Sequence, residues 1–202
     1  MARIYLIRHG QTAWNAERRL QGNLDVPLDE LGLQQAEGLA QALSHLPLRR
    51  LYASPLLRAM QTAAPIAAAT GLAIEADPRL KERNWGAYQG MTREEAARLN
   101  PGAERELRSS PRTARPPGGE SFEDLCARVG TALREIGAQS GDAVAVVCHG
   151  GTISAGLQVL LGIQGYPKTR FLIDNASVSL VELRPNGEVL AHFVNSQVGF
   201  LA

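Results

Sequence analysis

Lysine is almost missing from this 202-residue sequence, standing only at Lys81 and Lys168, whereas arginine is frequent. Because nearly all cationic side chains are of one type, a single surface arginine says little about function, and position has to carry the argument. The charges nearly cancel, 21 Lys and Arg against 20 Asp and Glu, for a net +1. That balance gives no general electrostatic reason to expect nucleic acid or an anionic membrane as partner. No apolar run approaches the roughly 18 residues of a membrane span, and the run between Arg3 and Arg8 is too short for a signal-peptide core. The expected compartment is therefore the cytoplasm. Cysteine occurs only at Cys126 and Cys148, expected to be buried reduced thiols. There is no internal repeat and no low-complexity tract, and the length suits one domain, 1–202, with a sizeable core.

What the chain does contain is a succession of short apolar runs followed by polar or glycine-rich residues. Ile4 to Ile7, β-branched and aromatic, predicts a buried strand with Arg8-His9-Gly10 at its carboxyl end, where open α/β sheets place ligands. Arg49 to Ala53 predicts a second strand, followed closely by Arg58, and Leu72 to Ala76 a third. Ala143 to Cys148 is the most apolar, the pattern of a central parallel strand buried on both faces, and it delivers His149-Gly150-Gly151. Val178 to Leu183 and Val189 to Val194 flank Pro185-Asn186-Gly187, a hairpin signal that adds an antiparallel edge.

Helical signals fill the gaps. Asp29 can cap a helix whose apolar face is Leu33, Ala36, Leu39, Ala40 and Leu43. Ser54-Pro55 reads as a cap followed by proline at the first helical position, which puts Arg58 in the first turn. Thr92 and Glu95 form a capping box for a short helix that stops before Pro101-Gly102. Phe122, Leu125, Cys126, Val129, Leu133 and Ile136 make an amphipathic helix, and another runs from about Thr152 to Leu161. Between them Ala103 to Gly119, rich in arginine, proline and glycine, predicts a mobile lid or surface excursion, the lid segment spanning about 91–119. The expected fold is α/β: a three-layer sandwich with a mainly parallel central sheet, one antiparallel edge and helices on both faces.

Two arginines and two histidines at three strand ends describe an anion site. Arg8 alone would be a solvated charge; Arg8, His9, Arg58 and His149 at corresponding ends favour phosphate. His9, His149 and Glu82 could also ligate zinc, but two arginines would raise the positive potential where the cation must sit. Glu82 lies between Lys81 and Arg83 and equally fits a surface salt bridge. Thr12 could cap the following helix or touch phosphate, Gln21 could simply order its loop, and Trp85 and Tyr88 could wall a pocket or pack in the core. His45 and His192 show no partners and read as ordinary surface or strand residues.

Arg8-His9-Gly10-x-Thr12-x-x-Asn15, Gln21-Gly22, Ser54-Pro55-x-x-Arg58-Ala59-x-Gln61-Thr62, Leu80-x-Glu82-x-x-Trp85-Gly86, Gly119-Glu120-Ser121 and His149-Gly150-Gly151 together resemble the histidine phosphatase superfamily, the phosphoglycerate-mutase-like proteins. The resemblance runs from Ile4 to Asn195. It implies that His9 becomes phosphohistidine, that Arg8, Arg58 and His149 hold the phosphoryl group with Asn15 and the amide of Gly150, and that Glu82 is the general acid and base. Thr12, Gln21, Gly22 and Trp85 would border the substrate, a small phosphorylated metabolite, with no metal or cofactor. The mutase branch resembles this chain less. There, adjacent arginines hold the substrate carboxylate, whereas Arg108, Arg112 and Arg115 are separated here. Arg93 stands where the mutases place a lysine, and Val198 to Ala202 carry no basic tail. Phosphatase activity is the expectation, with phosphoglycerate mutase as the alternative. A non-catalytic phospho-ligand binder is a weaker third, since His9 and Glu82 are both present. An edge strand or helix face offers a surface for a homodimer.

Overall fold

The computed structural model describes residues 1–140, 142–163 and 171–197. Lys168 and the Val198 to Ala202 end lie outside the described residues. Six strands, β1 (Ala2–Arg8), β2 (Leu48–Ala53), β3 (Ile74–Ala76), β4 (Ala143–Cys148), β5 (Val178–Leu183) and β6 (Val189–Ser196), form one sheet ordered β3-β2-β4-β1-β5-β6. The first four run parallel, and β5 and β6 add the antiparallel edge. Parallel neighbours need crossovers, and helices supply them on both faces.

The period-two alternation of β1 and β4 divides the core. Ile4, Leu6, Val144 and Val146 face helices α6 (Phe122–Ser140) and α7 (Gly150–Leu160), packing with Leu125, Val129, Leu133, Ile153 and Leu157. Tyr5, Ile7, Ala145 and Val147 face α2 (Glu30–Leu43) and α3 (Leu57–Thr70), packing with Leu39, Leu43, Ala59, Ala63 and Ile66. Each fully buried Ile, Leu or Val contributes about 1.5–3 kcal/mol, so these two central strands and their carboxyl ends are the most firmly held part of the sheet. The expected hairpin closes at Gly187, where φ is 84° and Arg184 N–H reaches Glu188 O at 2.9 Å.

The turn after β1 lies directly on the start of α2. Asp29 caps that helix through Gly32 N at 2.8 Å. A Cβ at Gly10 would come 2.4 Å from Gly32 O, and one at Gly32 would come 2.0 Å from Gln11 O. Only two glycines permit backbone to meet backbone there.

Four expectations need correction. Helix α3 begins at Leu57, with Leu56 as a cap that makes no side-chain bond, so Ser54-Pro55 precedes the helix. The Ser54 hydroxyl has a tertiary partner instead, described below. The helix after Thr92 stops before Pro101 as expected, but Pro101 then starts a further helix, α5 (Pro101–Ser109). Asn100 caps it by accepting from Ala103 N at 3.0 Å, and proline at the first position loses no bond. The excursion expected between 103 and 119 is thus partly helical, following α4 (Arg93–Leu99). Its return is pinned to residues 83–87: Arg83 donates to Ala114 O at 3.2 Å, Ala87 N to Pro117 O at 2.9 Å and Glu120 N to Asn84 O at 2.9 Å. The third strand is also shorter, starting at Ile74. His192 has a partner, Glu182 Oε2 at 3.2 Å. Both cysteines are buried free thiols. Among the described residues no helix is long and apolar enough to cross a membrane.

Candidate active site

The sheet register builds the site. Arg8 pairs with Cys148 in the parallel β1/β4 ladder, so the next residues, His9 and His149, emerge side by side. Their ring centroids are 5.1 Å apart and tilted by 60°. On the other side of β4, Ala53 pairs with Val147, which brings Ser54 Oγ to 2.8 Å from His149 Nε2.

His9 is held by its own turn. Its Nδ1 lies 2.7 Å from Gly10 O; a carbonyl only accepts, so the proton sits on Nδ1 and the lone pair on Nε2. Gly10 O also accepts from Asn175 Nδ2 at 3.2 Å, and the same amide reaches His9 O at 3.1 Å and Asn15 Oδ1 at 3.2 Å. Gly10 N donates to Thr62 Oγ1 at 3.0 Å, and that hydroxyl donates to Arg58 O at 2.8 Å. Burial, then the charges of Arg58 and Arg8, hold the His9 imidazole well below the usual histidine range, against a smaller opposing effect of the Gly10 bond. His149 is pushed down in the same way by burial and then by Arg58. Both rings are neutral near pH 7.

Arg58 is fully buried. Its two terminal nitrogens donate to Leu24 O at 2.8 Å and Gly22 O at 2.7 Å. Arg8 donates to Ile173 O at 2.6 Å. Burial lowers both guanidinium pKa values, with Glu82 opposing. Among the described residues, Arg8 Nε, Arg58 Nε and His149 Nδ1 are buried without a hydrogen-bond partner. A buried cation with an unsatisfied donor is costly unless an anion completes it, so the arrangement calls for an oxyanion.

Glu82 is fixed at both carboxylate oxygens, Oε1 accepting from Arg83 N at 2.7 Å and Oε2 from Gly151 N at 3.0 Å. A cavity of about 380 Å³ opens here, and Arg8, His9, Asn15, Gln21, Gly22, Arg58, Glu82, Trp85 and Gly150 all line it. Trp85 is therefore a wall residue, with Arg83 and Arg93 over its ring at 4.5 and 5.2 Å, while Tyr88 packs in the core. Two expected residues are not in the lining. His149 is fully buried beside His9, and Thr12 is buried as the N-cap of α1 (Ala13–Ala16), in a capping box with Asn15. Asn15 Oδ1 is engaged by Thr12 and Asn175, so the NH2 end of Asn15 is the end able to meet an anion. Gln21 Oε1 is buried without a partner among the described residues.

Residues that sequence reasoning missed are Asn175, which reaches back to β1 from just before β5, and Arg93 as a cavity residue. Ser54 was visible only as a helix signal. Among the described residues no group of three His, Cys, Asp or Glu converges as a metal site, and the adjacent guanidinium groups disfavour a cation.

Comparison with known proteins agrees with this chemistry. The model of the histidine phosphatase superfamily (branch 1) matches residues 4–196. The chain is 45% identical over 157 residues to phosphoglycerate mutase-like protein 4 of Arabidopsis thaliana, covering 75% of this chain and 68% of that one. It is 34% identical over 200 residues to the probable phosphoglycerate mutase GpmB of Enterobacter sp. (strain 638), covering 98% and 93%. A mycobacterial glucosyl-3-phosphoglycerate phosphatase, solved with VO3, superposes with a TM-score of 0.87 at 32% identity, covering 96% and 99%. The chain belongs to the histidine phosphatase superfamily. Its relatives include both phosphoglycerate mutase-like proteins and phosphatases.

Proposed function

We propose that the protein is a phosphatase that hydrolyses a small phosphomonoester through a phosphohistidine on His9, without a metal ion. The observation that carries this reading is the neutral His9 ring, its Nδ1 tied to Gly10 O, set among buried guanidinium donors that have no anionic partner among the described residues. In the first step His9 Nε2 attacks phosphorus and the bond to the ester oxygen breaks, with Glu82 giving that oxygen a proton. Arg8 and Arg58 hold the phosphoryl oxygens through charge-assisted bonds as charge spreads over them. Ser54 donates its hydroxyl proton to His149 Nε2, which places the His149 proton on Nδ1 for the phosphoryl group. The NH2 of Asn15 and the amide of Gly150 are further donors. In the second step Glu82 takes a proton from water, which attacks the phosphohistidine and releases phosphate and free His9. General acid and base help of this kind is typically worth about 10² to 10⁴ in rate.

In this reading the whole chain is one domain, and the segment 91–119 is its lid, contributing Arg93 to the cavity. A phosphoglycerate mutase remains the second reading because sequence relatives are named phosphoglycerate mutase-like protein 4 and probable phosphoglycerate mutase GpmB. Against it, Arg108, Arg112 and Arg115 do not line the cavity and pair instead with Glu104, Glu123 and Asp124. The test is phosphate release in EDTA from phosphoserine, α-ribazole phosphate, 3-phosphoglycerate, glucosyl-3-phosphoglycerate and an aryl phosphate, with isomerised 3-phosphoglycerate followed in the same tubes. One or more esters should be hydrolysed, and His9→Ala should abolish the release. Full activity of His9→Ala would sink the proposal, and isomerisation without release would establish the mutase.

A further inference from the structure

Arg128 projects from the second turn of α6 and does not line the catalytic cavity. Its guanidinium nevertheless makes five bonds, matching its five N–H donors. One terminal nitrogen donates to Arg79 O and to Lys81 O, each at 2.7 Å. The other donates to Glu82 O at 3.0 Å and to Glu120 Oε2 at 2.9 Å, and Nε donates to Glu120 Oε1 at 2.7 Å. Glu120 reaches the same strip of chain from beyond Glu82. Its Oε2 accepts from Asn84 N at 3.2 Å and its main-chain oxygen from Arg83 Nε at 2.8 Å. Residues 79–84 are thus fastened on both sides of Glu82 by one bidentate ion pair.

This strip needs such an anchor because it is irregular. After the single 3-10 turn Pro78–Leu80 the chain runs without helix or strand until residue 86. Carbonyls outside a ladder must find donors elsewhere. Those of Arg79, Lys81 and Glu82 converge on one guanidinium, whose planar fork fixes their mutual orientation in a way a lysine's three donors would not reproduce. From the opposite side α7 supplies Thr152 Oγ1 to Lys81 O at 3.0 Å and Gly151 N to the Glu82 carboxylate at 3.0 Å. Glu82 is therefore held at its backbone carbonyl by α6, and at its carboxylate by α7 and the neighbouring Arg83 amide.

We infer that Arg128, with Glu120, is a positioning residue that sets where the Glu82 carboxylate stands relative to the leaving oxygen. The inference rests on the reading of Glu82 as general acid. Misplacement by about 1 Å can cost roughly 10² in rate, and here the loss would fall on proton transfer alone.

Leaving-group dependence tests this. 4-Nitrophenyl phosphate expels an acidic phenol that needs little protonation, whereas phenyl phosphate expels a more basic one. Glu82→Gln should lose much more kcat/KM on phenyl phosphate and so defines the signature, since kcat/KM reports the step in which the leaving group departs. Arg128→Met should show the same signature, a kcat/KM loss roughly tenfold or more larger on phenyl phosphate. Arg128→Lys should fall between wild type and Arg128→Met, and Glu82→Gln with Arg128→Met should be no worse than Glu82→Gln alone. If Arg128→Met does not fold, Arg128→Lys and Glu120→Gln carry the same comparison. Equal losses on both esters in the Arg128 and Glu120 variants, or none, would overturn the inference while Glu82→Gln still discriminates. If Glu82→Gln itself fails to discriminate, the general-acid reading falls, and this inference with it.

Discussion

Arg8 and Arg58 at the strand ends are built differently from Arg79 and Arg184 at the periphery. Arg79 lies against Asp77 and Glu135, and Arg184 against Glu182 and Glu188. Their hydrogen bonds to those carboxylates raise both guanidinium pKa values. Arg8 and Arg58 form no ion pair among the described residues, donate to main-chain carbonyls, and are pushed down by burial. A carboxylate neutralises its arginine, whereas a carbonyl orients the cation and leaves its charge for a visitor. In a chain that uses arginine almost everywhere, these two are set apart by burial combined with the lack of a counter-ion among the described residues.

The sharpest way to break the contrast is Arg58→Lys. An ammonium cannot serve Gly22 O, Leu24 O and a phosphoryl oxygen with the geometry of a planar fork. The expected fall in kcat/KM is about 10²- to 10³-fold. A loss below tenfold would mean that charge without geometry suffices.

The second prediction concerns the neutral histidines that share the site with these cations. His9 and His149 have depressed pKa values when folded, so below the ordinary value of 6.5 the unfolded chain binds more protons. Stability is then complete above that value and falls as pH drops through it, by up to about 1.4 kcal/mol per pH unit for each histidine. Urea unfolding at pH 7.5 and 5.5 should differ by about 2–3 kcal/mol. Equal stabilities would show that the rings are not held neutral. The smallest effect is at the periphery: Arg184→Ala should leave kcat/KM unchanged and lower the thermal midpoint only slightly, because its pair with Glu188 is exposed and buried Glu182 keeps Arg3 and His192 beside it.

The strand ends were legible because β1 and β4 are short, β-branched and buried, so few placements satisfy their pattern. The approach of His9 to His149 followed from the topology, and the family resemblance supplied Glu82, whose own context was ambiguous. Ser54 misled because a serine before a proline is a local cap signal, while its actual partner lies 95 residues away. Helix α5 was hidden by a composition that reads as loop, although Asn100 and Pro101 are a sound start signal once considered together. Asn175 and Arg128 were out of reach, since their bonds run to backbone atoms whose positions exist only after the sheet has formed.

The contact between the turn after β1 and the start of α2 bears on how this sequence can change. At Gly10 and at Gly32 a methyl group would strike the main chain of the other segment, so no side-chain replacement across the contact makes room. The two positions block each other's routes of escape, and compensation would require moving a helix. Helix α2 sends no side chain into the cavity, yet Gly32 should tolerate mutation as poorly as the residues that touch substrate. In a mutational scan it would be mistaken for one of them.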